Sequence, residues 1–157
     1  MCFTFLSSAG GHQARRESTV LDPQQAERAI TGLRAAYTAF NHGDIDGAVA
    51  MLDPNVKWSE PAEFPGGGVY NGVESVKHYL AQSRAGAAEV ISEPERFLPA
   101  GDMIIVFVKA RVLPKQSNSW REIRLADVYT FHGSRVTQMH AFAHREDALR
   151  WAGVQEQ

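Results

Sequence analysis

Residues 120–144 read WREIRLADVYTFHGSRVTQMHAFAH. Two runs of period two, about 120–131 and about 135–144, flank the turn pair His132-Gly133. Alternating runs separated by a short glycine turn form a hairpin of antiparallel strands. Upstream, about 88–98 and 103–113 repeat the pattern around Gly101-Asp102. Four strands in succession, with no helix between them, predict an antiparallel sheet and exclude a βαβ fold.

The helices come earlier. Asp22-Pro23 offers a capping side chain and then proline at the first helical position. Ala26, Ala29, Ile30, Leu33, Tyr37 and Phe40 follow at helical spacing. Asn41-His42-Gly43 ends that helix, and Asp44 caps a second one through Leu52, stopped by Asp53-Pro54-Asn55. Val56, Trp58 and Glu60 alternate with Lys57 and Ser59, which predicts a short strand. A loop over residues 61–68 precedes a third helix opened by Asn71-Gly72, and a short terminal helix covers 146–151. The order is helix, helix, strand, helix and four strands, an α+β class.

Composition narrows the functional classes. The chain has 157 residues, with 16 Lys+Arg against 18 Asp+Glu and a formal net charge of −2. That balance argues against an electrostatic nucleic-acid binder. One cysteine, Cys2, excludes an internal disulfide framework and a cysteine-based zinc cluster. No apolar run has the eighteen or so residues that span a bilayer. Residues 1–21 lack the basic start of an export signal, and we read them as a disordered tail before a single domain over 22–157. A cytoplasmic location is the expectation.

Parity places two acids on apolar faces. Asp127 shares its face with Ile123, Leu125, Tyr129 and Phe131, and Glu60 shares its face with Val56 and Trp58. A carboxylate on such a face must be paired, hydrated in a cavity or protonated. Asp127 has Arg121, Lys109 and Arg111 as possible structural partners, and Glu60 can equally cap the strand end at Pro61.

These segments resemble a known superfamily. AAYTAFNHGDIDGAVAMLDPNVKWSEP, GGGVYNGVESVKHYL and LADVYTFHGSRVTQMHAF are similar to NTF2-like proteins, in particular the SnoaL-like branch with polyketide cyclases and ketosteroid isomerases. The likeness spans about residues 26–153. It implies a cone: a curved antiparallel sheet wrapped around the N-terminal helices, open to a pocket at one end, and commonly a homodimer through the sheet. It implies a general base at Glu60 and a protonated, hydrogen-bond-donating acid at Asp127, which would bring the net charge nearer −1. Three tyrosines of the isomerase network fall on Ala36, Leu52 and Leu80, and Tyr37 stands about 100° round the helix from the first. Tyr70, Tyr79 and Tyr129 are the candidates to replace them.

The implied activity is a cofactor-independent isomerase or cyclase acting on a small hydrophobic, carbonyl-bearing molecule. The same acid pair could activate water for hydration or epoxide opening. The alternative is a non-enzymatic ligand-binding or dimerisation module. Candidate substrate-binding residues are Trp58, Phe64, Tyr70, Tyr79, Tyr129, Met139 and Phe40, with Ala141 and Ala143 beside Met139, whereas Phe107 reads as plain core. His140 and His144, about 13 Å apart on a strand, are too distant to share one metal ion. His140 is assigned to the opposite, dimer-side face, and His144 is a minor acid/base candidate if a bulge turns it inward. No metal and no nucleic-acid or membrane partner is expected. Gly66-Gly67-Gly68 lacks the Lys-Ser/Thr of a phosphate loop, and reads as a gating loop or an ordinary flexible one.

Overall fold

A computed structural model describes residues 20–155. The first helix, α1 (Pro23–Asn41), is started by a capping box: the Gln25 amide donates to Asp22 and the Asp22 amide to the Gln25 side chain, at 2.8 and 3.0 Å. Its buried stripe is Ala26, Ala29, Leu33 and Tyr37. α2 is Ile45–Ala48, β1 Leu52–Glu60, β2 Gly68–Asn71 and α3 Val73–Ala85. The long strands β3 (Glu89–Ala100), β4 (Met103–Leu113), β5 (Arg121–His132) and β6 (Arg135–Phe142) follow, and then α4 (Arg145–Trp151).

One six-stranded sheet has the order β2-β1-β6-β5-β4-β3. All neighbours are antiparallel except β1 and β6, which run parallel. Register shifts between Pro94 and Arg96, and between Thr130 and Phe131, interrupt the ladders. Such irregularities increase twist and bend the sheet. The inner face carries Ile104, Val106, Val108, Tyr129, Phe131, Val136 and Met139 in one cluster with α1. Each fully buried aliphatic side chain there contributes about 1.5–3 kcal/mol. The outer face carries Ile105, Phe107, Ala126 and Val128 under α4, so Phe107 packs in the outer core.

Three expectations are corrected here. The second helix stops at Ala48, and the strand begins at Leu52 instead of after Asn55. Asp53 accepts from the Asn55 amide at 2.8 Å, and the β1–β6 register shifts between Leu52 and Lys57, so Pro54 sits in a local irregularity of the ladder. Val69 and its neighbours form β2, which pairs residues 68–71 with 57–60. Beyond Phe142 the last strand gives way to α4, so residues 143–144 are outside the sheet.

Of the expected N-terminal tail, residues 1–19, including Cys2, lie outside the described residues. Leu21 belongs to the domain, because its amide donates to the Gly101 carbonyl at 2.9 Å and its side chain packs on the core. No described helix is long and apolar enough to cross a membrane.

Candidate active site

Between α1, α3 and the concave sheet lies a cavity of about 200 Å³. Glu60 and Asp127 both line it. The topology brings them together: β6 is the one strand between β1 and β5. Asp127 is opposite Ala141, and Ser59 is opposite His140, so Ala141 stands between the two acids in register. Backbones two strands apart are separated by roughly 10 Å, and two side chains reach into that interval from opposite sides.

Aromatic rings make up much of the wall. Trp58, Phe64, Tyr79, Tyr129 and Phe40 line the cavity together with Tyr37. Tyr129 meets Tyr37 and Trp58 edge to face, each with ring centroids 6.3 Å apart. Leu80, Val108 and Leu125 supply aliphatic surface. No lysine, arginine or histidine lines the cavity among the described residues.

Asp127 is held by a chain of two phenols. The Tyr129 hydroxyl donates to the Tyr37 oxygen at 2.9 Å, and the Tyr37 hydroxyl donates to Asp127 Oδ2 at 2.6 Å. Arg121, Lys109 and Arg111 are not its partners: Lys109 pairs with Glu93 at 3.6 Å, and Arg111 stands over the Trp120 ring. Burial raises the Asp127 pKa to about 6, against the lowering effect of the Tyr37 bond. A phenol donor satisfies a buried carboxylate without adding a compensating charge.

Glu60 is held differently. Trp58 Nε1–H donates to its Oε1 at 2.7 Å, and the Tyr79 hydroxyl also supports its charged form. Burial, followed by the nearby Asp127 charge, raises its pKa to about 8. Both acids retain some solvent exposure, because the cavity opens onto them. The surrounding protein still withholds most of the hydration a carboxylate needs.

At neutral pH the pair therefore shares about one proton. The resemblance puts that proton on Asp127; here burial raises both carboxyls, the Tyr37 donor opposing the rise at Asp127 and the Asp127 charge adding to it at Glu60.

Other candidates are relocated. Met139 is fully buried in the core, between Trp58 and Tyr129 in register, and does not line the cavity; Ala141 is buried as well. Tyr70 does not line the cavity and packs on Tyr79 at a tilt of 33°, with centroids 4.6 Å apart. Ala143 does not line the cavity, and His144 is the exposed N-cap of α4 and also lies outside it. His140 is on the outer face, stacked on Phe142 at 4.4 Å and near Trp151. Burial and Lys57 lower the His140 pKa. No group of three or more metal-ligating side chains occurs among the described residues. Of the lining residues that were not site candidates, Tyr37 is the one that bonds an acid. Its place on the apolar stripe of α1 was visible, but its hydroxyl's partner lies 90 residues away.

A family model described as the SnoaL-like domain matches residues 33–139. No curated protein matches the chain. Among solved structures, TerC co-crystallised with polyporic acid is similar at 21% identity, covering 80% of this chain and 98% of that one, with a TM-score of 0.67. A Catenulispora acidiphila protein with a ketosteroid isomerase-like fold, in complex with trimethylamine, is 14% identical, covering 79% and 93%, at TM-score 0.65. An epoxide hydrolase of the LEH-like type from M. tuberculosis is 14% identical, covering 79% and 88%, at TM-score 0.61. These likenesses establish the NTF2-like fold, and the match over more than half of the sequence places the chain in the SnoaL-like domain family.

Proposed function

We propose that the protein is a cofactor-independent acid–base enzyme, of isomerase or cyclase type, for a small hydrophobic molecule bearing a carbonyl group. The observation that carries this reading is the pairing of Glu60 and Asp127 in one aromatic cavity with no cation. Such a pair keeps a proton donor and a proton acceptor side by side near pH 7. Asp127 removes a proton from the carbon beside the substrate carbonyl. Protonated Glu60 donates to the carbonyl oxygen as the enolate develops. Return of the proton to a different carbon isomerises the substrate, and attack of the enol carbon on a second carbonyl closes a ring. Neither outcome calls for a metal or an organic cofactor.

The cavity volume suits a small, mostly apolar substrate. The aromatic patch of His140, Phe142 and Trp151 on the outer face supports a homodimer through the sheet. We place the enzyme in the cytoplasm, with no nucleic-acid or membrane partner.

The test is turnover of conjugated ketones and polyketide-like enols by the wild type, Glu60→Gln and Asp127→Asn. Each substitution is expected to lower kcat by about 10²–10⁴-fold. Turnover unchanged in both variants would overturn the reading. Tight binding without turnover would favour the ligand-binding alternative.

A further inference from the structure

The Tyr70 hydroxyl donates to the Gly66 carbonyl at 2.5 Å, tying β2 to the loop between Glu60 and Gly68. That loop carries Phe64, which lines the cavity. The loop has its own internal bonds: the Phe64 amide donates to Pro61 and the Gly67 amide to Phe64, both at 3.1 Å. Gly66, at φ +80°, lies close against Tyr79, so that a Cβ there would stand 3.0 Å from Tyr79 Cε2 and 3.5 Å from the Tyr70 hydroxyl. Gly67 is packed as tightly, since a Cβ would approach the Pro61 carbonyl oxygen at 2.5 Å. The Tyr79 ring therefore has Tyr70 packed on it at a tilt of 33° and Gly66 against its edge. Tyr79 and Glu60 line the same cavity.

We propose that Tyr70 is a positioning residue: by latching the 61–67 loop and packing on Tyr79, it fixes the Tyr79 ring beside Glu60 in the cavity wall and holds Phe64 against the cavity. Tyr70 does not line the cavity, so it acts through Tyr79 and the loop without touching a ligand. The inference rests on the proposed reaction only in treating Glu60 as the proton donor. The contacts that define the latch do not depend on it.

Tyr70→Phe keeps the ring and removes the bond to Gly66. Two measurements on the full chain read the result without substrate. The first is a carbon-13 titration of the Glu60 side-chain carboxyl, assigned with Glu60→Gln. Because the Tyr79 hydroxyl lowers the Glu60 pKa, loosening Tyr79 should raise the Glu60 midpoint by about half to one pH unit. Tyr79→Phe should shift it in the same direction, and the double variant should add little to Tyr79→Phe alone. The second is amide hydrogen exchange. Phe64 and Gly67 should exchange about five- to tenfold faster in Tyr70→Phe, with β4 and β5 unchanged. Gly66→Ala supplies an independent perturbation from the loop side and should move both readings likewise.

A Glu60 midpoint unchanged in Tyr70→Phe, or in Tyr79→Phe, overturns the proposal, as does an unaltered exchange rate in the loop. Loss of turnover is not used in either measurement. An inactive wild type would therefore sink the proposed reaction and leave the latch standing, while an unmoved midpoint in an active enzyme would do the reverse.

Discussion

The Tyr37 hydroxyl lies 2.6 Å from Asp127 Oδ2 and donates to it, so α1 determines how a proton is shared across the sheet. Without that donor, two buried acids with no cation would compete for the proton on burial alone. With it, the charged form of Asp127 has a donor that opposes the effect of burial.

The pH dependence of kcat/KM should accordingly be bell-shaped, with limbs near about 6 and about 8. The base, Asp127, must be ionised, and the acid, Glu60, must be protonated. In Tyr37→Phe the acidic limb should move upward, because the charged form of Asp127 loses its donor. The bell narrows from the low-pH side, and the maximum rate falls about tenfold or more. A pH–rate series on both proteins checks this.

The same acids make the fold sensitive to pH. Glu60 rises from 4.5 to about 8 and Asp127 from 3.8 to about 6 on folding, so the native state binds protons more tightly than the unfolded chain. Their stabilising contribution is complete below the unfolded values and is lost as pH rises through the folded ones. Stability measured by urea unfolding should fall between pH 5 and pH 9, by on the order of a few kcal/mol. Glu60→Gln should flatten that slope and exceed the wild type in stability at pH 9.

Trp58 should report the titration directly. Its indole N–H is bonded to the Glu60 carboxyl at 2.7 Å, so its emission depends on the charge of that carboxyl. Tryptophan fluorescence should change with a midpoint near about 8. The change should vanish in Glu60→Gln and in Trp58→Phe, and persist in Trp151→Phe.

How much of this was legible in the sequence follows from the range of each interaction. The α1 start was readable because Asp22, Pro23 and Gln25 act within one turn. The inward placement of Asp127 and Glu60 was readable because strand parity is local. The donor on Asp127 was not, since the Tyr37 hydroxyl is brought in from another element. Met139 was expected at the cavity because its parity is right; it stands between Trp58 and Tyr129 in register and is wholly taken up by the core. β2 escaped notice because four residues beside three glycines carry too short a pattern, and the pairing with β1 is what orders them. The end of α2 was misread because Asp53-Pro54-Asn55 signals a break, and the break falls within a strand.

A clamp at the end of α1 offers a stability test away from the acids. The Asn41 side chain donates to the Ser92 carbonyl and accepts from its amide, both at 2.8 Å. Arg84 adds a bond to the Phe40 carbonyl at 2.7 Å. Asn41→Ala should cost about 1–3 kcal/mol and lower the Tm by roughly 4–8 °C. Thermal unfolding at pH 6 checks it, and the Glu60 midpoint should stay within a few tenths of a unit.

The parallel seam between β1 and β6 has a consequence for assembly. Glu60 arrives early in the chain and Asp127 late, and the last strand of the sheet is the splice that puts them beside one cavity. Every hairpin from β3 to β6 can close by local turns, but this seam closes a loop of some eighty residues, a slow step in any search. Glu60 and Asp127 share a cavity only once that seam has formed, so the pair belongs to the whole domain and to no smaller part of it.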